Sequence, residues 1–142
     1  MYTSILVPLD VMEDELSHNA LKHAVGLAKL TGATLHLLHV LPISTTIINA
    51  YELGYLDLKD KASTIAEERL ALMAKEIDLP KDRVSYSIAF GSTRDEIVEA
   101  TDTVQADLIV IGSHRPNIKT HLLGSNASGI VRYAKTSVLV VR

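Results

Sequence analysis

The chain contains no cysteine and no tryptophan, only one phenylalanine, and four prolines among its 142 residues. Without cysteine there is no disulfide framework, no thiol nucleophile and no Cys-ligated zinc or iron–sulfur centre. That is compatible with a reducing compartment. Aromatic residues make up 4%, too few for a platform on which nucleic-acid bases stack. A basic excess is missing as well: 14 Lys and Arg stand against 17 Asp and Glu, for a net charge of −3. No broad positive field is therefore offered to a phosphate backbone. Strand-like apolar runs such as Leu108-Ile109-Val110-Ile111 and Val138-Leu139-Val140-Val141 are four residues long, against about 20 for a membrane helix. The opening Met1-Tyr2-Thr3-Ser4 has no basic side chain, and residues 5–9 are too short for a signal-peptide core. The expectation is a soluble, cytoplasmic protein with neither membrane nor nucleic acid as partner.

What is present is 47% hydrophobic residues in a length suited to one domain, residues 1–142. Short β-rich runs alternate with longer stretches of helical period. Ile5-Leu6-Val7-Pro8-Leu9 reads as a buried strand with Pro8 near its end, where a missing N–H is tolerated. Leu16, Ala20, Ala24, Leu27 and Ala28 form the stripe of an amphipathic helix that stops at Thr31-Gly32. A strand follows over residues 34–40, then an aperiodic loop over 43–57. The next helix runs from about 58 to 77, with Ala62, Ile65, Ala66, Leu70, Met73 and Ile77 on one side, and Pro80 breaks it. Val84–Phe90 alternates as a half-exposed strand. Thr93-Arg94-Asp95-Glu96 has capping-box spacing for a helix reaching about Val104. Asp107-Leu108-Ile109-Val110-Ile111 is a strand apolar enough to be buried on both faces. Gly124-Ser125 opens a short helix, and Ser137–Val141 is the last strand. The βαβαβαβαβ order implies an α/β fold, an open five-stranded parallel sheet between helices. In such sheets a ligand lies beyond the carboxyl ends of the strands, where strand order reverses.

The loop after the fourth strand carries the chemistry. A glycine, Gly112, leaves a buried strand, the polar and basic residues 113–121 follow, and Gly124-Ser125-Asn126-Ala127-Ser128 opens a helix. Unpaired N–H groups and the positive dipole end favour an anion at such a helix start. Gly124 permits close backbone approach, the Ser125 and Ser128 hydroxyls can donate, and Arg115 can add a charge-assisted contact. The alternative is that Ser125 or Asn126 merely caps the helix.

Over its whole length the chain resembles the universal stress protein family. Ile5-Leu6-Val7-Pro8-Leu9-Asp10 is similar to the family's first strand and Leu37-Leu38-His39-Val40 to its second. Ala106-Asp107-Leu108-Ile109-Val110-Ile111-Gly112-Ser113 is similar to its fourth, and Leu122-Leu123-Gly124-Ser125-Asn126-Ala127-Ser128 with residues 137–142 to its ending. The Ser-His-Arg-Pro form followed by Leu-Leu-Gly-Ser-Asn resembles the F/G-type enterobacterial subgroup. The family's ATP pattern is Gly, two residues, Gly, nine residues, then Gly-Ser/Thr. Here Arg115 takes the place of the second glycine, and eight residues separate it from Gly124. The resemblance implies strand order 3-2-1-4-5 in an adenine nucleotide alpha hydrolase-like fold. It also implies ATP, with Mg²⁺ brought by the nucleotide, and homodimers through the C-terminal strand, with tetramers beyond them. By the same resemblance, Asp10 and the Val40 main chain meet the adenine–ribose end. Pro8, Leu9, Ile111, Gly112 and Ser113 line the floor, and Arg115, Gly124, Ser125 and Asn126 hold the phosphates.

Other constellations carry less. His36 and His39, three apart on a strand, point to opposite faces, and His18 and His23 are off chelating spacing, so no metal site is expected. There is no Walker lysine loop and no dinucleotide fingerprint. No water-orienting base for phosphoryl transfer can be named, so no catalytic residue is assigned. The leading reading is an ATP-holding stress-response regulator with an unidentified protein partner. Its alternatives are a slow ATPase or autophosphorylating enzyme, and a dimeric scaffold without nucleotide.

Overall fold

The computed structural model describes residues 1–11, 14–42, 52–113 and 124–142. Its elements are β1 (Ser4–Pro8), α1 (Asp14–Thr31), β2 (Thr34–Leu41), α2 (Glu52–Glu76), a 3₁₀ turn (Lys81–Arg83), β3 (Val84–Phe90), α3 (Thr93–Thr103), β4 (Leu108–Gly112), α4 (Ser125–Tyr133) and β5 (Ser137–Val141). The strands form one sheet in the order β3-β2-β1-β4-β5, and every neighbouring pair is parallel. This is the order expected.

Strand periodicity divides the core between the two faces of the sheet. Ile5, Val7, Leu35, Leu37, Leu108 and Val110 point to the side covered by α1 and α2. Leu6, Leu38, Val40, Ile109 and Ile111 point to the other, against Ile97 of α3 and Ile130 of α4. Each fully buried Leu or Ile contributes about 1.5–3 kcal/mol by removal from water. On α1 the buried ridge is Ala20, Ala24 and Ala28. These small side chains, one turn apart, let the helix settle onto β1 and β4. The helix then stops at Gly32, whose φ of +75° is unfavourable for any residue with a Cβ.

Three local expectations need correction. Helix α2 begins at Glu52, inside the stretch expected to be loop; residues 43–51 lie outside the described residues. Gly54 and the weak apolar period hid this start, and tertiary cover overrides such propensity. On the same helix Ile65 is 48% exposed, because the buried ridge runs through Ala66 and Leu70, a residue further round the helix. The α3 cap is Ser92, not Thr93: its Oγ accepts from the Asp95 N–H at 3.5 Å. The box is one residue out of register because Glu96 lies over Gly91, where an added Cβ would come within 2.9 Å of Glu96 Oε1.

At the amino-terminal end of the central strands, the Asp107 carboxylate accepts from the Thr3 N–H at 2.9 Å and the Ser4 N–H at 3.1 Å. The Thr3 hydroxyl adds a third donor at 3.0 Å. Desolvation acts to raise the Asp107 pKa, but the hydrogen bonds from Ser4 and Thr3 outweigh it, and the net shift is downward. No helix among the described residues is long and apolar enough to cross a membrane.

Candidate functional site at the β1–β4 switch point

The central pair parts where the resemblance placed the ligand. β1 and β4 are in register at Ile5↔Leu108 and Leu6↔Ile109. β1 stays with β2 as far as Pro8↔Leu38, and β4 stays with β5 as far as Gly112↔Val141. The chain leaves β1 for the α1 face and reaches α4 on the opposite face after β4. A crevice at the carboxyl ends follows from that divergence.

On the β1 side, Pro8 donates no hydrogen bond, and the Leu9 N–H resumes contact with the Leu38 carbonyl at 2.8 Å. Leu9 and Val11 are buried, while Asp10 between them is exposed. His39 secures this turn from beneath. It is 5% exposed, with Nδ1 3.1 Å from the Leu9 carbonyl and 3.5 Å from the Val11 nitrogen. The sequence pattern suggests a solvated or half-buried histidine rather than a metal ligand, and the structure buries it more fully. The available signal was a lone polar residue at the carboxyl end of a buried strand.

Val40 lies one step beyond the end of β1. Main-chain groups alternate sides along a strand, so those of Val40 point the same way as the Leu38 carbonyl, toward the crevice. Consistently, the next carbonyl, Leu41, points the other way and accepts from the Gly91 N–H. The Val40 peptide thus faces the side on which β1 and β4 part.

On the β4 side, Ile111 is buried, Gly112 half-buried and Ser113 fully buried. The Ser113 N–H donates to the Val141 carbonyl at 2.9 Å, and its carbonyl accepts from the Gly124 N–H at 2.7 Å. The Ser113 hydroxyl has no hydrogen-bond partner and is the one buried side-chain polar atom so placed among the described residues. A buried hydroxyl without a partner is costly and calls for an explanation.

The α4 start differs from the capping alternative. Its cap is Gly124, so Ser125 and Asn126 do not cap but stand exposed in the first turn. Gly124 has φ −61° and ψ 159°, a conformation open to any residue, so its backbone does not require glycine. Its N–H is already committed to Ser113. Among the described residues, the N–H groups of Ser125, Asn126 and Ala127, the first three positions of the helix, have no acceptor. Ala127 was not singled out in the sequence because its alanine side chain is silent. Arg115, His114 and His121 lie outside the described residues.

The two histidines on β2 do face opposite ways. His36 places its ring nitrogens 2.7 Å from the Ser85 and Ser87 hydroxyls, and its burial lowers its pKa. No group of three metal-ligating side chains occurs among the described residues.

The fold is that of an open parallel α/β protein whose central strands, β1 and β4, separate at their carboxyl ends. The model of the universal stress protein family matches residues 1–142, and the chain belongs to that family. It is 43% identical over 143 residues to Universal stress protein G of Shigella flexneri, covering 100% of both chains. That likeness agrees with the F/G-type resemblance. Universal stress protein MJ0577 of Methanocaldococcus jannaschii has a solved structure that superposes with a TM-score of 0.82 at 31% identity, covering 99% of this chain and 96% of that one. A universal stress protein solved in complex with cAMP superposes with a TM-score of 0.65 at 26% identity, covering 99% of this chain and 97% of that one.

Proposed function

We propose that the protein holds ATP across the carboxyl ends of β1 and β4 and acts as a cytoplasmic stress-response regulator built as one domain, residues 1–142. The observation that carries this reading is the buried, partnerless Ser113 hydroxyl beside the free N–H groups that open α4. A ligand with several acceptor oxygens would satisfy both at once. Asp10 and the Val40 main chain would take the adenine–ribose end, and Pro8, Leu9, Ile111, Gly112 and Ser113 the floor. Ser125, Asn126 and Arg115 would hold the phosphates, with Gly124 allowing them near the backbone. Mg²⁺ bound with the nucleotide would neutralise charge on the distal phosphates. The related protein solved with cAMP supports an adenine ligand.

Acid extraction of the purified protein, followed by nucleotide chromatography, tests the reading; calorimetry should then show ATP with Mg²⁺ binding more tightly than AMP. An empty extract with no calorimetric signal would leave the scaffold reading. Turnover is expected well below the roughly 1 s⁻¹ at which ordinary enzymes begin, because no water-orienting base can be named from the sequence.

A symmetric dimer through β5 belongs to the same proposal. Val138, Leu139 and Val140 are only half-buried on the outermost strand, an apolar edge that invites pairing with a second copy. Tetramers would be pairs of such dimers. Light scattering at micromolar concentration should report at least a dimer, and Val140→Lys should shift it to monomer; a clean unmutated monomer would refute the pairing.

A further inference from the structure

Away from the switch point, α1 and α2 cover the same face of the sheet and leave a groove of about 860 Å³ between them, within the roughly 300–1,000 Å³ range of ligand sites. Leu21 and Val25 of α1, with Met73 and Ile77 at the end of α2, give it an apolar floor rooted in the core. Its walls differ in sign: Lys22 and Lys29 stand on α1, Glu76 and Asp78 on the other side. Lys29 and Asp78 join across it at 2.8 Å. Lys22 and Glu76 have no ion pair among the described residues and face the groove as an unmatched cation and anion.

Gly26 adds an independent observation. It sits in the middle of α1, on the face shared by Lys22 and Lys29, four residues after one and three before the other. A Cβ at Gly26 would meet nothing within 4 Å. Glycine in a helix interior sacrifices helix stability relative to alanine, and here neither a tight contact nor a positive φ requires it. Its effect is to leave the helix backbone open to whatever lies in the groove.

We propose that this groove binds a short apolar peptide with both termini free, its carboxylate toward Lys22 beside the Gly26 gap, its ammonium toward Glu76, and its side chains on the Leu21, Val25, Met73 and Ile77 floor. Such a zwitterion matches the two walls, whereas a fatty-acid anion would leave Glu76 opposed to it and a cationic amphiphile would leave Lys22 unpaired. The site is separate from the nucleotide crevice and does not rest on it.

The test is a titration of the isotope-labelled full chain with trileucine, followed by amide chemical shifts. Shift changes are expected over residues 18–29 and 73–78. N-acetyl-trileucine, trileucine amide and decanoate should each bind at least tenfold more weakly. A Cβ at Gly26 meets nothing within 4 Å and leucine is the better helix former, so Gly26→Leu should melt no lower than the unmutated protein yet bind at least tenfold more weakly. Lys22→Ser and Glu76→Gln, both at exposed positions, should each weaken trileucine several-fold. Absence of shifts at the solubility limit, equal binding of the capped peptides or of decanoate, or undiminished binding by a folded Gly26→Leu protein would each overturn the proposal.

Discussion

The two ends of the β1–β4 pair are built on opposite principles. At the amino end, one carboxylate, Asp107, gathers the N–H groups of Thr3 and Ser4 and the Thr3 hydroxyl, and the strands are held in register. At the carboxyl end the strands part, the Ser113 hydroxyl is buried without a partner, and the first donors of α4 are left over. Two adjacent strands thus supply a satisfied anchor at one end and unsatisfied polar groups at the other. The difference teaches where polar groups are spent: saturation of hydrogen bonds holds the fold at one end, and at the other their shortage is what the proposed ligand would make good.

The sharpest way to break the contrast is to place a charge in the open end. Gly124→Asp adds a Cβ and a carboxylate where phosphates approach, and ATP affinity should fall at least 100-fold, about 2.7 kcal/mol. Thermal melting of the free protein should change little; ATP retained by a folded variant would remove Gly124 from the site.

Asp107→Ala strikes the saturated end. Losing hydrogen bonds to an ionised acceptor should cost about 1–2 kcal/mol of stability in urea unfolding, discounted for the exposure of the clamp. ATP affinity should stay within about twofold, since distant sites act independently. A large loss of affinity would show that the two ends are coupled. The same carboxylate supplies a pH test. Its folded-state pKa lies below the ordinary value of 3.8, so its contribution is fully present above that value and is lost as pH falls through the folded pKa. The stability gap between the unmutated protein and Asp107→Asn should therefore be constant from pH 7 to about 5 and shrink below about 4.

Ser113→Ala is the smallest expected effect and the finest discriminator. No hydrogen bond is broken in the free protein, so stability should change by no more than about 0.5 kcal/mol. ATP should bind about tenfold more weakly, about 1.4 kcal/mol. Unchanged affinity would mean the hydroxyl has no part in the ligand.

Much of this arrangement could be read along the chain. The apolar runs at β1, β2 and β4, the alanine ridge of α1 and the glycine stop at Gly32 are local patterns with local physical causes. Less legible were features in which distant residues decide. Helix α2 starts at Glu52 despite Gly54, and its buried side turns past Ile65, because the sheet chooses which face is covered. The α3 cap moved to Ser92 because Glu96 folds over Gly91. At the site, Gly112, Ser113 and Gly124 stood out as residue types. The Gly124 N–H taken by the Ser113 carbonyl and the clamp at His39 involve partners 11 to 30 positions away, and no local pattern encodes them.

The sequence by itself determined the alternation of strands and helices, the split of each strand into two faces, and the family to which the chain is similar. These follow from side-chain period and backbone preference, which act over a few residues. Only the tertiary structure decided which strands part and which hydrogen-bonding groups remain unspent at their ends. Pairing in a parallel sheet joins segments separated by whole helices, and a donor is free or committed according to what another segment brings beside it. The Ser113 hydroxyl and the Gly124 N–H show both outcomes: each is an ordinary polar group in the sequence, and packing left one without a partner and bound the other.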